Sequence, residues 1–414
     1  MRDRDLYAQV LGLQSPWTVS DVALNSEQQE VVVRVENKSQ RPPCPVCRSA
    51  APRYDSVVRR WRHLDTCQYR TILEAKVPRV KCAEHGVKQI AVPWAEPGTR
   101  FTALFEAIVI DWLLEASVSA VSRRMKLTWD EVDGIQQRAV ARGLARRESE
   151  EVSIVGVDET SFQKRHEYVT VISSGGAKVL HVSDGRGKKS LKEYYKSLTD
   201  RQIKAIEAVS MDMWEPYIQA TMEHIPDAEE KIAFDKFHVA KHLGDAVDKV
   251  RRTENKELVS AGDESLKGTK HLWLQNPDNM HPSRWHTLQE LKDVIVKTSR
   301  AWAIKETAMC LWSYVSRGWA RKAWEKWLSW AMRSRLEPIK KAARMIRDHL
   351  DGILNAVTKK VTNAGAESLN AKIQKVKRRA CGFRNRERFR IAIYFHLGGL
   401  DLYPEGLATT HRDS

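Results

Sequence analysis

The strongest constraint on the fold lies between residues 152 and 240, where apolar runs alternate with helical patterns. Three runs that fit β-strands come first: EVSIVGVDETSF, HEYVTVISS and AKVLHVS. Gly175 and Gly176 join the second and third runs and predict a hairpin turn. A helix (SLKEYYKSL), a strand (IEAVSMDMW), a helix with Pro216 in its first turn and a fifth strand (EKIAFDKFHV) follow. The segment therefore predicts an α/β sheet in which three antiparallel strands precede parallel ones.

This order of elements is that of a ribonuclease-H-like core. Residues 152–157 predict a buried strand that ends at Asp158, and the fourth strand ends at Asp212. Two divalent ions need carboxylate ligands, and three carboxylates suffice because water and phosphate oxygens complete the coordination. Glu367, in TNAGAESLNAKIQKVKRRACGFRN, is the third candidate. The alternative is that the aspartates are polar strand ends and that the glutamate only favours a helix N-terminus.

Asp235 competes with Asp212 for the second position. It lies in FDKFH, inside the predicted fifth strand, and forms an Asp-x-x-His pair with His238. A strand end suits a metal ligand better than the middle of a strand, which favours Asp212. Asp235 and His238 are therefore expected to brace the site or to contact DNA.

Four metal ligands are spaced as in a structural zinc site. Cys44 and Cys47 are separated by two residues, and Cys82 and His85 repeat that spacing. Two such pairs offer the nitrogen and sulfur ligands of tetrahedral zinc. Cys67 could replace His85 as the fourth ligand, and the alternative to a zinc site is a small β region with unpaired cysteines.

The segment 101–147 changes to helical periodicity and predicts a helix-turn-helix. Leu104, Ile108 and Trp112, with three apolar neighbours, predict one buried helix face. Ser119 is expected to cap a second helix, and Thr128 a third. The third helix should turn four residues inward: Val132, Ile135, Ala139 and Val140. The last helix of such a motif enters the major groove, although a helical hairpin that links two domains would show the same pattern. The outward candidates are Trp129, Asp133, Gln136, Gln137 and Arg142.

The net charge of +16 favours a polyanionic partner, because each phosphate contact releases counterions. Double-stranded DNA is the expected partner, and a basic protein with a merely solvated surface is the alternative. Besides the outward residues of the third helix, we expect basic residues of the preceding helix and of the C-terminal helices to bind this DNA. They are Arg123, Arg124, Lys375, Arg378, Arg379 and Arg384. The sequence has no apolar run long enough to span a membrane and no signal peptide pattern. We therefore expect no membrane association and a cytoplasmic location, with the protein on the nucleoid when it is bound to DNA.

The domain order that these patterns predict has five parts. A zinc-finger domain (1–100) and a helix-turn-helix (101–150) precede the first part of the catalytic core (151–240). A tryptophan-rich, all-helical insertion (241–362) and the C-terminal helices of the core (363–414) follow. The tryptophans of the helical insertion are expected mainly in its hydrophobic core rather than stacked on DNA bases.

Several segments resemble the successive blocks of the ISL-three (ISL3) family of bacterial insertion-sequence transposases. They are GVDETSFQKRHEYVTVIS, AVSMDMWEPYIQA, IAFDKFHVAKHLGDAVDKVRR, NAGAESLNAKIQKVKRRACGFRN, and CPVC with the later Cys-x-x-His. The resemblance covers residues 40–400 and implies a DDE core with its acidic residues at Asp158, Asp212 and Glu367. It also implies the Asp-x-x-His element at Asp235 and His238. In the family the second zinc pair is often two cysteines, whereas here it is Cys82 and His85.

The expected function is a DDE transposase that binds terminal inverted repeats and carries out DNA cleavage and strand transfer with Mg²⁺ or Mn²⁺. Zn²⁺ would be structural, and a homodimer is expected because two ends must be joined together. A structure-specific nuclease on the same core and a zinc-bearing DNA-binding regulator are the alternatives.

Overall fold

The chain forms two units, and one of them is built from two separate segments. The computed structural model describes residues 3–163, 167–175, 178–361 and 364–405, apart from the side chains of residues 364 and 367. The first unit comprises residues 1–147 and 400–414, and the second comprises residues 148–399. Within the described residues, no helix is both long enough and apolar enough to cross a membrane.

The first unit begins with helix α1 (Asp3–Val10) and a mixed β-sheet in the order β1-β2-β4-β3, with β5 paired to β4. The strands are β1 (Trp17–Asn25), β2 (Glu30–Asn37), β3 (Arg53–Thr66), β4 (Tyr69–Cys82) and β5 (Gly86–Gln89). The alternating pattern of VVVRVENKS correctly predicts β2, where Val31, Val33 and Val35 are buried. Edge-on packing of Trp17 and Trp61 against Trp94 fills the rest of this core.

Three helices follow the sheet: α2 (Ala103–Glu115), α3 (Val118–Met125) and α4 (Trp129–Arg146). The predicted cap at Thr128 is confirmed, because its hydroxyl accepts from the Glu131 amide in a reciprocal capping box. The predicted cap at Ser119 is wrong, since Ser117 caps α3 and the helix starts at Val118. The four residues of α4 that were predicted to face inward are buried.

The buried face of α2 is only partly the predicted one. Phe105, Val109 and Leu113 are fully buried, but Leu104 and Trp112 are exposed by 38% and 39%. The helix is apolar almost all round, so the spacing of its apolar residues does not identify the face that packs inside.

A segment from the far end of the chain completes the first unit. Leu402 is buried, and Tyr403 donates from its hydroxyl to Asp111 of α2 at 2.6 Å. The backbone carbonyls of Leu402 and Tyr403 accept from Arg142 and Arg146 of α4. Gly143 allows the close approach, because a Cβ there would lie 2.6 Å from Leu400. Residues 400–405 are therefore an integral part of this unit.

The second unit contains a sheet in the order β10-β9-β6-β7-β8. Its strands are β6 (Ile154–Gln163), β7 (Glu167–Ser174), β8 (Val179–Asp184), β9 (Ala208–Met211) and β10 (Ile232–Phe234). Strands β6, β7 and β8 pair antiparallel, whereas β9 pairs parallel with both β6 and β10. The predicted mixture of antiparallel and parallel strands is confirmed. The hairpin glycine Gly175 has φ of 53°, and Gly176 lies outside the described residues.

Helices α5 (Lys188–Ser197), α6 (Asp200–Ala205), α7 (Glu215–His224) and α8 (Ala228–Lys231) lie between the strands. The sequence patterns predicted α5 and α7, including Pro216 in the first turn of α7. The predicted fifth strand is too long, because only Ile232–Phe234 is extended. Asp235 is the N-cap of the next helix and does not lie inside a strand.

A helical region follows, made of α9 (Lys236–Ser260), α10 (Lys270–Leu274), α11 (Pro282–Val294), α12 (Val296–Cys310), α13 (Arg317–Met332), α14 (Glu337–Asp348) and α15 (Leu350–Lys359). Trp273, Trp302, Trp324 and Trp327 are buried in its core, as predicted for most of these tryptophans. Trp285, Trp319 and Trp330 are instead exposed by 39–66%.

The last helices, α16 (Ala364–Arg379) and α17 (Arg386–Leu397), cover the sheet. Leu369 and Ile373 of α16 and Phe389 and Ile393 of α17 form a cluster with apolar residues of β6, β7 and β8. This packing fixes α16 beside β6, the strand that carries Asp158.

Candidate functional site

The paired metal ligands of the first unit come together. One donor atom from each of Cys44, Cys47, Cys82 and His85 lies within 4.8 Å of the others. The turn after Cys44 is closed by backbone hydrogen bonds with Arg48 and Ser49. The strands β4 and β5 pair at Cys82 and Gly86, which places His85 in the tight turn between them. Each pair therefore projects its donors from one short turn.

The chemistry of these donors fits zinc. Hydrogen bonds from Ser49 lower the pKa of the Cys47 thiol to about 6, which favours the thiolate that zinc binds. Cys67, the alternative fourth ligand, lies in the turn between β3 and β4, at the end of β4 opposite Cys82. The length of β4 separates the two cysteines by roughly 40 Å. His85, and not Cys67, stands with the other three donors.

The helix-turn-helix presents fewer of the predicted outward residues than expected. Trp129 and Gln137 are exposed, as are Arg123 and Arg124 of α3. The predictions that Asp133, Gln136 and Arg142 face outward are wrong. Asp133 and Gln136 are 4% and 6% exposed, and Asp133 accepts from Gln137.

Arg142 is buried because it is the centre of an ion-pair cluster. Its guanidinium lies 2.6 Å from Glu96 and 3.1 Å from Glu106, and its side chain is 7% exposed. Glu106 also pairs with Arg138. The buried guanidinium therefore links α4 to Glu106 of α2 and to Glu96, and it is not accessible for a contact with a base edge.

Asp158 lies inside strand β6 and not at its end, which corrects the expected placement. It pairs with Val171 of β7, and β6 runs on to Gln163. On its other side, however, the pairing of β6 with β9 stops at Gly156. The carboxylate therefore stands beside the carboxyl end of β9, where Asp212 follows Met211. The backbone amide of Glu159 and the amide group of Asn370 donate to its two oxygens at 2.7 and 2.6 Å.

Asp212, Asp235 and His238 follow two parallel strands that end at the same edge of the sheet. Asp212 accepts from the Met213 amide at 2.6 Å, and the His238 Nδ1 lies 3.8 Å from its carboxylate. The side chain of Asp212 is 45% exposed, whereas Asp235 as a whole residue is 4% exposed. Both aspartates thus occupy strand ends, so the sequence argument that separated them does not apply.

A pocket of about 240 Å³ opens at this edge. Asp158 and Asp212 line it together with His238, Arg186 and Lys241. Glu159 also lines it, so the pocket combines three carboxylates with two cations, a composition that suits a divalent metal and a phosphate.

Sequence reasoning missed Arg186, which follows β8 in a Gly-Arg-Gly turn. Its guanidinium lies 4.7 Å from the ring centre of Tyr168 and 4.9 Å from that of Trp214, and 3.5 Å from Glu159. The indole nitrogen of Trp214 donates to the Arg186 carbonyl at 2.9 Å. The Gly-Arg-Gly triplet and a tryptophan two residues after Asp212 were the available signals.

Burial raises the pKa of Asp158 to about 7. The negative charges of Glu159, Asp212 and Asp235 add to this effect, while the Glu159 amide opposes it. A cation beside this carboxylate would stabilise its ionised form, because few positive groups compensate the buried negative charge.

Helix α16 carries Glu367 beside this pocket, although the Glu367 side chain lies outside the described residues. Asn370, one turn further on, donates to Asp158. Gln374 donates to Thr160 at 2.9 Å, and Lys377 donates to the Ser161 carbonyl at 2.8 Å. These three bonds fasten one face of α16 along β6. Of the basic residues predicted to bind DNA here, Lys375, Arg378 and Arg384 are exposed and Arg379 is half-buried.

Comparisons with known families agree along the chain. Residues 155–393 match the DDE family of ISL3 elements, described as "Transposase". Residues 40–85 match the zinc-finger of transposase IS204/IS1001/IS1096/IS1165, and residues 90–140 match the helix-turn-helix domain of transposase family ISL3.

Curated proteins of similar sequence include two transposases. The transposase for insertion sequence element IS1001 of Bordetella parapertussis is 27% identical over 345 residues, which cover 82% of this chain and 84% of that protein. The transposase for insertion sequence element IS1557 of Mycobacterium tuberculosis is 27% identical over 419 residues and 93% of each chain. The DDE family match alone spans more than half of the sequence. The chain therefore belongs to the ISL3 family and is a DNA-binding transposase of the DDE type.

Proposed function

We propose that Asp158, Asp212 and Glu367 hold the catalytic divalent metal, Mg²⁺ or Mn²⁺, of this transposase. The observation that carries the proposal is the shared pocket of Asp158 and Asp212, with Asn370 bonded to Asp158 from the helix of Glu367. Residues three apart lie on one helix face, so Glu367 starts from the same side of α16 as Asn370. The raised pKa of Asp158 supports a cation site, because a cation would offset its buried charge.

The second unit is proposed to be a ribonuclease-H-like core, 151–240 and 363–399, interrupted by an all-helical insertion, 241–362; the predicted C-terminal part, 363–414, is shortened because residues from 400 onward belong to the first unit. The support is the strand order β10-β9-β6-β7-β8, with antiparallel pairing on one side of β6 and parallel pairing on the other. That sheet places the carboxyl ends of β9 and β10 beside Asp158. The zinc domain, 1–100, and the helix-turn-helix, 101–150, precede it in this proposal.

The reaction consists of two displacements at phosphorus. In the first, a water oxygen bonds to phosphorus at the transposon end, and the phosphorus–3′-oxygen bond breaks to leave a free 3′-hydroxyl. In the second, that 3′-oxygen bonds to a target phosphorus, and the 3′-oxygen of the target strand leaves with a proton. Magnesium at the carboxylates supplies activation of the attacking oxygen and charge stabilisation of the leaving oxygen. Arg186 and Lys241 bind the non-bridging phosphate oxygens.

Asp212 is the better second ligand, and Asp235 and His238 brace it. The Asp212 side chain is 45% exposed to the pocket region, whereas Asp235 is buried beneath it at the start of α9. His238 lies one turn into α9 with its Nδ1 3.8 Å from Asp212, so its imidazole limits where that carboxylate can turn.

DNA recognition is assigned to the first unit, whose zinc is structural. Exposed Trp129 and Gln137 of α4 are the proposed base contacts, and Arg123 and Arg124 of α3 are the proposed phosphate contacts at the terminal inverted repeats. The exposed cations Lys375, Arg378 and Arg384 are proposed to bind DNA near the catalytic pocket. A homodimer is proposed because two transposon ends must be cut and joined together.

The test is strand transfer in vitro with magnesium, using a donor duplex that carries the DNA flanking the coding sequence. Asp212→Ala is expected to lower cleavage and joining at least about a thousandfold while DNA binding persists. Asp235→Ala is expected to retain measurable joining. Asp184→Ala, which removes an exposed carboxylate at the end of β8, is the matched control. If Asp212→Ala stays active and Asp235→Ala is inactive, Asp235 is the metal ligand and Asp212 is the supporting residue.

A further inference from the structure

A second basic pocket lies in the first unit, between the exposed edge of the sheet and the turn of the helix-turn-helix. Its volume is about 380 Å³. Arg60 and Arg62 of β3 and Arg70 of β4 line one side. Arg100, which precedes α2, and Lys126, between α3 and α4, line the other. Glu30 and Glu131 line the pocket as well, so five cations outnumber two carboxylates there. The pocket therefore joins cations from elements that are far apart in the sequence.

The arginines of the sheet have acidic partners within the protein. Glu30 lies 2.9 Å from Arg60 and 3.6 Å from Arg70, and Arg62 pairs with Asp65. Glu74 is a second partner of Arg60 at 3.4 Å and also pairs with Arg34. These contacts fix the guanidinium groups and leave part of their charge uncompensated, because Glu30 and Glu74 each serve two arginines. Arg60 and Arg70 keep side-chain exposures of 52% and 44%.

Arg100 and Lys126 differ from these arginines. Among the residues that the structure describes, neither forms an ion pair, and both are exposed. Their backbones are nevertheless fixed: the Arg100 carbonyl accepts from the Arg62 amide at 2.8 Å, and Lys126 caps α3. Two unpaired cations on rigid backbone face a pocket whose other wall is already basic.

Lys126 also occupies a conformation that favours another residue. Its φ is 52° and its ψ 44°, the left-handed region in which a helix end usually carries glycine or asparagine. A lysine there costs stability relative to glycine.

We infer that this pocket binds a backbone phosphate of duplex DNA, next to the segment that the helix-turn-helix reads. The inference rests on the proposal that the first unit grips DNA. One residue, Leu127, separates Lys126 from Thr128, the N-cap of α4, so a phosphate in the pocket flanks the proposed base contacts. Phosphate contacts of this kind set the register of a recognition helix. Arg100 and Lys126 supply the charge, and Arg60 and Arg70 form the rear wall.

The experiment measures binding of the full chain to a labelled 30-base-pair duplex of mixed sequence as a function of salt concentration. The variant Arg100→Gln with Lys126→Gly removes both unpaired cations, and the glycine also suits the left-handed position. We expect its duplex affinity to fall roughly tenfold or more at 0.1 M salt, and the slope of log K against log salt to decrease by about 1–2. Its thermal stability should stay equal or rise.

Arg59→Gln is the matched control, because Arg59 is an exposed arginine of the same strand that contacts Gln89 and does not line the pocket. An unchanged salt slope in the double variant, with wild-type binding intact, would overturn the pocket assignment and leave the catalytic proposal untouched. A titration with millimolar inorganic phosphate separates the two sources of the anion. If free phosphate stabilises the wild type and the salt dependence of duplex binding is the same in all variants, the pocket binds a small anion. That result would refute the DNA contact.

Discussion

At the scale of single residues, the burial of Asp158 at the proposed metal site destabilises the folded chain at neutral pH. Its pKa is about 7 in the folded chain, against 3.8 for an ordinary aspartate, and burial is the main cause. The folded state therefore binds this proton more tightly than the unfolded state between those pH values. The free energy of unfolding falls as the pH rises through this window, and the cost above pH 7 is on the order of 4 kcal/mol.

Asp158→Asn should therefore make the second unit more stable while abolishing cleavage. We expect its unfolding temperature without added magnesium to rise by roughly 5 °C or more at pH 8, and to change little at pH 4. The asparagine oxygen can still accept from the Glu159 amide, and its NH₂ group can donate to the Asn370 oxygen once the Asn370 amide is turned over. Scanning calorimetry at both pH values measures the effect, and Asp184→Asn is the exposed control. Equal melting of Asp158→Asn and wild type at pH 8 would contradict the prediction.

Asn370 is expected to position Asp158 for the metal. Removing its 2.6 Å hydrogen bond in Asn370→Ala frees the carboxylate to rotate, and we expect manganese affinity to weaken about tenfold. Calorimetric titration of Mn²⁺ measures this without reference to catalysis. Gln374→Ala removes a bond from the same face of α16 to Thr160, away from the carboxylates, and should leave metal affinity unchanged. If both variants lose the same amount of manganese affinity, the affinity depends on the packing of α16 against β6 and not on the Asn370–Asp158 hydrogen bond.

At the scale of elements, the two short turns that carry the metal donors make a prediction about zinc. Cys82→Ser should lose bound zinc and unfold the sheet of the first unit, since folding and metal binding are coupled in such sites. Cys67→Ser changes an exposed cysteine of the β3–β4 turn and should keep its zinc. Elemental analysis and circular dichroism measure both effects. Zinc loss in Cys67→Ser would contradict the donor set.

Elements with a clear local pattern could be predicted from the sequence. Val31, Val33 and Val35 identified β2, and Thr128 identified the start of α4, because alternation and capping act within a few residues. The fifth strand was overestimated, since apolar residues of α9 continue the pattern beyond Phe234. Local sequence does not show where strand pairing stops and a helix begins.

The candidate site was predictable in part for the same reason. Asp158 and Asp212 stood out beside buried strands. Asn370 contacts Asp158 from a helix more than 200 residues further along the chain, and Arg186 joins the pocket from the turn after β8. The burial of Arg142 depends on partners in other segments, Glu96 and Glu106. Contacts of this kind are tertiary, and helical periodicity alone cannot assign them.

At the scale of the whole molecule, residues 400–405 hold part of the first unit together. Leu402→Ala should lower the unfolding free energy of that unit by about 2–3 kcal/mol, because it empties a buried site against α4. The transition of the second unit should not move. Hydrogen exchange of α4 amides measures the effect. Glu405→Ala, at a side chain 89% exposed, is the control and should change stability by less than about 0.5 kcal/mol. If hydrogen exchange of the α4 amides is the same in Leu402→Ala and wild type, residues 400–405 do not stabilise α4.

The split of the first unit into segments 1–147 and 400–405 also affects the order of its synthesis. The ribosome must translate roughly 250 residues of the second unit between those segments, which takes on the order of 10–50 s. During that interval α4 lacks the contacts of Leu402 and Tyr403. The DNA-binding unit is thus completed only after the catalytic unit has been made. We expect chains that terminate early to carry an incomplete first unit and to bind DNA more weakly than the full-length chain.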